Sequence, residues 1–306
     1  MISWPRPGTR VTVRYRRPAG SVPPLTDAVG HLLAVDPLVR VRTKTGAVVE
    51  FAPTAVLALR ALSDAPVRTS DIRALEHAAA SAWPGVERAW LGGWLLRAAH
   101  GIDIAANSAI PLNLSASFGA IPAIVAWYRG RGLTPRLAVP DRLLPLPPDL
   151  PPLRTERVLV RDICDASSTK PDPAVALSAR PDEAWLRAYG CAIAPDVFTA
   201  VIDGEVVFGM RPGPAVARAA VTDAPDGTRW VGLSAVRGID EPSAVALCQV
   251  LLRWGTGRGA TRCYLVVPDT PVVTGVLTEA LTEALDFRPH HRRRYLPAES
   301  DSWDTV

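Results

Sequence analysis

The densest run of side chains that could do chemistry is a basic stretch near the C-terminus, His290 to Arg294, in which two histidines precede three arginines. Such a run could bind a phosphate, an acidic substrate or nucleic acid. The alternative is the solvated end of a final strand, which the sequence favours. The net charge of +4 is too mild to support a nucleic-acid role by itself, so nucleic acid is an open but unsupported partner.

The thiol and imidazole groups predict no metal site. The four cysteines lie far apart without CxxC spacing, at Cys164, Cys191, Cys248 and Cys263. This pattern indicates reduced core thiols better than a zinc site or a disulfide frame. Three further histidines, His31, His77 and His100, are isolated and lack the spacing of metal ligands.

The first 62 residues are predicted to form a small domain of short strands. The predicted strands are Thr9 to Arg16, Ala28 to Val35, Leu38 to Thr43, Ala47 to Phe51 and Val56 to Arg60. A hairpin signal at Lys44-Thr45-Gly46 and a proline-rich loop at Pro18 to Pro24 favour an SH3-like β-barrel for residues 1–62. Since Trp4, Tyr15 and Phe51 are too few for an aromatic cage, we favour docking or homodimer formation as its role.

A second domain is predicted over residues 71–298, in two halves that a proline-rich crossing joins. The first half, 71–142, contains a helix from Asp71, strands Trp94 to Ala98 and Ile104 to Leu112 turning at His100-Gly101, a helix Ile121 to Arg129 and a strand Pro135 to Pro140. The second half, 155–298, begins with a strand Arg157 to Asp162, a helix Asp182 to Tyr189 and a hairpin Val197 to Met210 that turns at Asp203-Gly204. A strand pair around Asp226-Gly227 follows, with Trp230 to Val236 as its outgoing arm. The half ends with a helix Pro242 to Gly255, a strand Cys263 to Val267, a helix Val276 to Leu285 and a strand Arg292 to Leu296.

This order predicts an α+β fold, with a mixed, mostly antiparallel sheet flanked by helices. The most apolar stretches, around Ala89 to Ala99 and Ala120 to Trp127, are shorter than the roughly 18 residues that a membrane-spanning helix needs. The first ten residues also lack the pattern of a signal peptide. We therefore expect a cytoplasmic protein with no membrane partner.

Several runs in the second domain resemble the GCN5-related N-acetyltransferase (GNAT) family. The matching runs are Leu251-Leu252-Arg253-Trp254, Gly259-Ala260, Tyr264 to Val267, and Leu285-Asp286-Phe287 before Tyr295. In the first half, Gly93 to Arg97 and Asn107 to Leu112 are similar to an actinobacterial group. Together with the N-terminal domain, the chain resembles the mycobacterial members named histone-acetyltransferase-like.

The resemblance implies that acetyl-CoA binds between two splayed strands, with its pyrophosphate at the start of the long helix. It implies a set of cofactor contacts on the strand and at the helix start: Leu233, Ser234, Ala235, Val236, Arg237, Gly238 and Ser243. The positions expected to hold an Arg-Gly-x-Gly loop contain Ile239, Asp240, Glu241 and Pro242 instead. The two carboxylates would repel a pyrophosphate, and Arg237 with Gly238 could compensate.

The resemblance also implies a base that deprotonates the acceptor amine and an acid that protonates the leaving thiolate. By strand order, Glu205, Asp223 and Asp226 are the candidate bases, and Glu205 is preferred. The family's usual acid position contains Thr282, and Gly275 stands where asparagine is common. Tyr295 is therefore the preferred acid, with Tyr264 as an alternative.

The leading hypothesis is an acetyl-CoA-dependent N-acetyltransferase acting on a primary amine, with protein lysine as a candidate acceptor. A second hypothesis is a GNAT-fold binding or regulatory protein that has lost catalysis, which the acidic helix start and Thr282 favour. A third is a nucleic-acid-associated protein that uses the N-terminal domain and the basic run.

Overall fold

The computed structural model describes residues 4–5, 7–18, 20–43, 45–62, 67–100, 103–146, 150–163, 172–190, 194–213, 215–238, 240–269, 279–300 and 303. The chain divides into two compact units, Met1–Val67 and Arg68–Val306.

The first unit is an antiparallel sheet of five strands with the order β4-β3-β2-β1-β5. The strands are β1 (Arg10–Arg16), β2 (Leu25–Ala34), β3 (Val39–Thr43), β4 (Val48–Phe51) and β5 (Val56–Ala61). Alternating apolar residues such as Val11, Val13 and Leu32 are fully buried in its core. All five predicted strands are confirmed. Among the described residues, β4 and β5 remain the two edges, so the sheet is open where we expected a barrel.

The second unit contains six helices among its described residues. They are α1 (Thr69–Ala82), α2 (Ile121–Arg129), α3 (Glu183–Tyr189), α4 (Pro195–Thr199), α5 (Glu241–Thr256) and α6 (Glu279–Ala284). The described helices include none with the length and hydropathy required to cross a lipid bilayer.

Among the described residues of the second unit, eleven strands form one mixed sheet with the order β11-β12-β13-β14-β15-β10-β16-β9-β8-β7-β6. The strands are β6 (Glu87–Leu91), β7 (Trp94–Ala98), β8 (Ala109–Pro111), β9 (Arg136–Pro140), β10 (Arg154–Asp162), β11 (Ala176–Ser178), β12 (Glu205–Arg211), β13 (Ala215–Asp223), β14 (Arg229–Arg237), β15 (Arg262–Pro268) and β16 (Arg288–Pro297). The predicted α+β class with a mixed, mostly antiparallel sheet is confirmed.

The same pairing pattern occurs in both halves of this sheet. Strands β6, β7 and β8 pair in antiparallel order, and β8 then pairs in parallel with β9 across helix α2. Strands β12, β13, β14 and β15 repeat this pattern with helix α5 as the crossover. The final strand, β16, lies between β10 and β9 and joins the halves into one sheet.

Helices α5 and α1 cover opposite faces of the second half of the sheet. The apolar stripe of α5, including Leu247 and Leu251, packs in a core with Ala217 and Val231. Gly255 allows close contact there, because a Cβ at this position would lie 2.7 Å from Cβ of Val231. On the other face α1 packs in a core with β10, β13, β14 and β15. A helix from the first half thus covers strands of the second.

The predicted antiparallel pairing of β7 with the strand before Leu112 is confirmed, and Gly101 of the predicted turn lies outside the described residues. The second arm, β8, is only three residues long, because the side chain of Asp103 binds the backbone N–H groups of Ala105 and Ala106 and interrupts the predicted strand. The second partner of β7 is β6, which the sequence analysis did not predict. The turn from β6 to β7 passes through Gly92 and Gly93, both with positive φ.

The predicted hairpin Val197 to Met210 was wrong. Residues Pro195–Thr199 form α4, with proline in the first turn of the helix, where its missing N–H costs nothing. Strand β12 then begins at Glu205 and pairs with β13. The predicted turn at Asp226-Gly227 between β13 and β14 is confirmed.

Candidate functional site

A splay between two parallel strands defines the candidate site. Strands β14 and β15 pair from Trp230 with Arg262 to Leu233 with Leu265. Within the described strands, β14 continues to Arg237 and β15 to Pro268 without pairing to each other. Beyond Leu233 and Leu265 the two strands therefore do not bond to each other, and a ligand could bind the backbone groups that face across the splay.

A β-bulge lies at the point where the strands separate. The pairing of β14 with β13 shifts between Val216 and Arg218. Two residues of β14, Ala235 and Val236, therefore lie opposite a single residue of β13, Ala217. Ala235 has a φ of 51°, which an alanine rarely adopts. Strained backbone of this kind concentrates at functional sites.

A cavity of about 180 Å³ opens beside the bulge on the face that α1 covers. Both halves of the unit line it, through Ala79, Ala82, Trp83, Arg97, Asp103, Ala105, Arg154, Glu156, Tyr189, Arg218, Leu233, Ser234, Ala235, Tyr264, Val266 and Arg293. Three of the predicted cofactor contacts, Leu233, Ser234 and Ala235, are among these residues.

Glu156 on β10 is the buried carboxylate of the cavity wall, with 3% of its surface exposed. It accepts a hydrogen bond from the Tyr295 hydroxyl at 3.1 Å and pairs with Arg293 at 3.2 Å and with Arg154 at 2.8 Å. These donors fix the position of the carboxylate beside the cavity.

A second buried carboxylate, Glu76 of α1, lies behind this wall. Arg293 donates to it at 2.7 Å, and His291 Nε2 lies 2.6 Å from its Oε1. Burial alone would raise the pKa of Glu76, but the charge of Arg293 and the hydrogen bond with His291 lower this pKa to about 2. Glu76 is therefore ionised at neutral pH and binds α1 to β16.

The predicted acid, Tyr295, lies within this network and does not line the cavity. Its hydroxyl already donates to Glu156, so it positions that carboxylate. The alternative, Tyr264, does line the cavity, with its ring over Gly232, where a Cβ would overlap the phenol. Burial raises the pKa of Tyr264, so its phenol keeps its proton at neutral pH.

The predicted base, Glu205, lies away from the cavity. It begins β12 and forms an ion pair with Arg258 at 2.7 Å, just beyond the C-terminal end of α5. The splay lies at the other end of α5, toward its first residues, because β14 leads directly into the start of that helix. Glu205 is in the same sheet as the splay, but its position along β12 places it at the opposite end of the strands.

The start of α5 is closed by the protein's own carboxylate. Asp240 caps the helix, accepting from the Ser243 backbone N–H at 2.8 Å and from its hydroxyl at 3.0 Å. These hydrogen bonds lower the pKa of Asp240. Arg211 donates to the Ser243 hydroxyl at 3.0 Å, and Pro242 has no N–H to offer. Ser243, a predicted cofactor contact, is thus engaged with protein groups.

The remaining predicted cofactor contacts surround this helix start. The guanidinium of Arg237 lies 5.3 Å from the centre of the Tyr189 ring, which lines the cavity. Val236 packs against the core on the α5 side of the sheet. Gly238 adjoins Ala244 at the first turn of α5. Ile239 and Gly275 lie outside the described residues.

Four of the five residues of the basic run on β16 contact acidic residues, and the fifth, His290, contacts His291. His291 and Arg293 point into the protein and contact Glu76, whereas Arg292 and Arg294 lie 3.6 Å and 3.4 Å from carboxylates of neighbouring loops, Asp269 and Asp141. The run is therefore a strand with alternating buried and solvated pairs, which removes the main support for the nucleic-acid hypothesis.

The sequence interpretation missed Glu156, Arg97 and Arg218. The available signal was a Glu or an Arg within an apolar strand pattern, since charged residues are rarely buried unless they are paired or functional.

Cys248 and Cys263 are buried and free, as predicted, and Cys164 and Cys191 lie outside the described residues. Among the described residues, no group of three or more potential ligands is arranged to hold a metal ion.

Comparisons with known proteins cover both units. Residues 69–296 match the family model described as "Probable histone acetyltransferase Rv0428c C-terminal". Residues 5–60 match the model described as "Rv0428c N-terminal Sm-like domain", so the family description of this unit is Sm-like where we predicted SH3-like.

A curated relative matches over the full length of both chains. It is the "Probable histone acetyltransferase Rv0428c" of Mycobacterium tuberculosis (strain ATCC 25618 / H37Rv), 63% identical over 310 residues. A solved GCN5-related N-acetyltransferase from Kribbella flavida is similar in fold, with a TM-score of 0.50 and 15% identity over 76% of this chain and 96% of that one. The chain therefore belongs to the GNAT-fold family of the probable histone acetyltransferase Rv0428c.

Proposed function

We propose that this protein transfers the acetyl group of acetyl-CoA to a primary amine. The observation that carries the proposal is the splay beyond Leu233 and Leu265, with its bulge at Ala235, opening onto a cavity with a buried carboxylate and a phenol. The amide groups of the pantetheine arm can bind the backbone of β14 beyond Leu233, where β14 no longer pairs with β15, in the way that an added strand would.

Glu156 is the proposed base. Acetylation requires the acceptor ammonium to lose a proton before its nitrogen attacks the thioester carbonyl. Glu156 lines the cavity, and Arg154, Arg293 and Tyr295 hold its carboxylate in place. Tyr295 and the two arginines are positioning residues in this scheme.

Tyr264 is the proposed proton donor to the leaving thiolate. Its phenol lines the same cavity one strand away from the bulge, and it is protonated at neutral pH because burial raises its pKa. A donor that stays protonated can neutralise the thiolate as the tetrahedral intermediate collapses.

The pyrophosphate of acetyl-CoA meets an altered site at the start of α5. Asp240 binds the N–H of Ser243 and Pro242 has no N–H, so the anion depends on Arg237 and on the backbone at Gly238 more than on the first turn of the helix. We expect acetyl-CoA to bind more weakly than at a helix start without a carboxylate.

The proposal is tested with purified full-length protein by calorimetric titration of acetyl-CoA and by acceptor-dependent release of free CoA. Glu156→Gln should lower kcat by about 100-fold or more with little effect on the dissociation constant of acetyl-CoA. Glu205→Gln is the matched control, since Glu205 is an exposed carboxylate of the same unit outside the cavity. Absence of acetyl-CoA binding at millimolar concentration would sink the proposal.

A second candidate function is a binding module without catalysis. The cap of α5 by Asp240 favours it, because this cap removes part of the usual anion site. The two candidates differ in one readout. A binding module retains acetyl-CoA or another ligand but releases no CoA with any amine.

For the N-terminal unit we propose docking or dimer formation. Among its described residues, β4 and β5 each pair on one side only, and an edge strand can accept another strand.

The curated relative is named a probable histone acetyltransferase, which makes protein lysine one candidate acceptor for the second unit.

A further inference from the structure

Two arginines line the cavity almost completely buried, and they come from different halves of the unit. Arg97 lies on β7 with 3% of its surface exposed, and Arg218 lies on β13 with 1% exposed. Both reach the C-terminal end of α1. Arg97 donates to the carbonyl of Trp83 at 3.3 Å, and the guanidinium of Arg218 lies 4.7 Å from the centre of the Trp83 ring.

The hydrogen-bond partners of Arg218 are all neutral. It donates to the carbonyl oxygens of Phe198 at 2.6 Å, Ala82 at 2.8 Å and Ala200 at 3.0 Å, and to the Ser234 hydroxyl at 3.3 Å. Burial lowers the pKa of this guanidinium to about 10, which still leaves it charged at neutral pH. A guanidinium has five N–H groups, so these four bonds leave one on Nη1.

The partners of Arg97 are neutral as well. Besides Trp83, it donates to the Ser108 carbonyl at 3.4 Å and to the Ser108 hydroxyl at 3.0 Å. Its three bonds leave one N–H group on each Nη nitrogen. In the part of the chain that the structure describes, neither Arg97 nor Arg218 forms an ion pair with a carboxylate.

The nearby negative charge is too small to balance these two guanidiniums. Arg154 and Arg293 are balanced by Glu156 and Glu76. Asp103 lines the cavity, but it is bound to the Trp83 indole at 2.6 Å and to backbone amides. The C-terminal end of α1 supplies roughly half a negative charge. With Asp103 counted as one negative charge, a positive charge of about half a unit is left on the two guanidiniums, and a buried charge is costly unless an anion pairs with it.

We propose that Arg97 and Arg218 bind a carboxylate of the acceptor, which is therefore a small amine that carries its own carboxylate, such as a free amino acid. Its ammonium group faces Glu156 and its carboxylate faces the two guanidiniums. A singly charged carboxylate matches the residual charge better than a phosphate dianion. The inference rests on the proposed acetyl transfer and narrows the acceptor to this class.

The first experiment compares acceptors with the full-length protein in the CoA-release assay. The panel contains free amino acids including L-lysine, their α-amides, cadaverine, phosphoethanolamine and a peptide with an internal lysine. The free amino acids should exceed their amides in kcat/KM by about tenfold or more, because the amide lacks the negative charge that pairs with the two guanidiniums. Equal rates for acids and amides, or faster acetylation of the peptide lysine or phosphoethanolamine, would overturn the inference and leave acetyl transfer standing. If no amine in the panel releases CoA, acetyl transfer fails and this inference fails with it.

The second experiment replaces Arg97 and follows the selectivity ratio of acid to amide. Arg97→Gln should lower that ratio about tenfold through KM for the acid, and Arg97→Lys, which retains the charge, should restore part of it. A purely structural role predicts equal losses for acid and amide, which would contradict the proposal. If Arg97→Gln does not fold, ligand binding to the wild-type protein tests the proposal instead. The melting temperature should rise with millimolar free amino acid and not with the α-amide, and an equal rise with both would contradict the proposal.

Discussion

Gly232 and Tyr264 form the tightest contact at the candidate site. The phenol lies directly over the glycine Cα, in the space that any side chain at position 232 would need. The ring is 5% exposed and also packs edge-on against Trp230, so it has little room to move away. The glycine therefore sets the position from which Tyr264 would donate its proton.

We predict that Gly232→Ala destabilises the protein by about 1 to 3 kcal/mol, because overpacking forces the buried ring to shift. The rate of CoA release should fall with it, since the phenol moves. Urea unfolding measures the first effect. Gly257→Ala is the control, because a Cβ there lies 3.5 Å from its nearest neighbour, the Arg253 carbonyl, and needs no positive φ. Equal stabilities of the two variants would show that the ring has room to move.

Helix α5 is the element in which sequence and site chemistry conflict. Its start has a good N-cap, which stabilises the helix, and the same carboxylate occupies a place where an anionic ligand would bind. The bulge of β14 lies next to this helix start, so both features act on the same ligand.

Asp240→Asn should separate these two effects. Asparagine caps a helix as well as aspartate, so the melting temperature should change little, while the loss of negative charge should tighten acetyl-CoA binding about two- to fivefold. Titration calorimetry at low salt measures the affinity. Asp226→Asn serves as the control, because it removes a turn carboxylate that binds the Thr228 backbone at the opposite end of β14. Unchanged affinity in Asp240→Asn would mean that the phosphates bind away from α5.

At the scale of the whole second unit, a buried charge network joins its two halves. Glu76 on α1 contacts Arg293 and His291 on β16, more than 200 residues later in the chain. Glu156 of β10 extends the network to the cavity wall through Arg293. Residues from both halves therefore form and support the wall of the site.

Glu76→Gln should destabilise the second unit by about 3 to 5 kcal/mol, because it leaves Arg293 buried without its main counter-charge. Urea unfolding measures this change. Glu299→Gln is the matched control, since the Arg129 to Glu299 pair also spans distant parts of the sequence but is exposed. Its loss should cost less than about 1 kcal/mol. A small effect of Glu76→Gln would show that the network carries little of the stability.

The effect of Glu76→Gln on the free energy of unfolding should also depend on pH. The pKa of Glu76 is about 2 in the folded protein against 4.5 without its partners, so the unfolded chain takes up the proton first as the pH falls. The stability that Glu76 contributes is present above pH 4.5 and is lost as the pH falls towards 2. The stability difference between wild type and Glu76→Gln should therefore shrink across this window.

Local patterns in the sequence were enough to predict most elements and the strand of the candidate site. Apolar spacing predicted α5 and β14 within a few residues, and the turn at Asp226-Gly227 fixed the pairing of β13 with β14. Where a local side-chain contact overrides propensity, as Asp103 does before β8, the predicted strand was too long.

The sequence by itself thus determined the strands, the long helix and the acidic character of its start, because these depend on neighbours a few residues apart. Only the tertiary structure decided which charges meet at the cavity. Arg218 reaches Ala82 across 136 residues, and Arg293 reaches Glu156 across 137. Such meetings depend on the insertion of β16 between β10 and β9 and on α1 crossing to the other half, and no local periodicity encodes them.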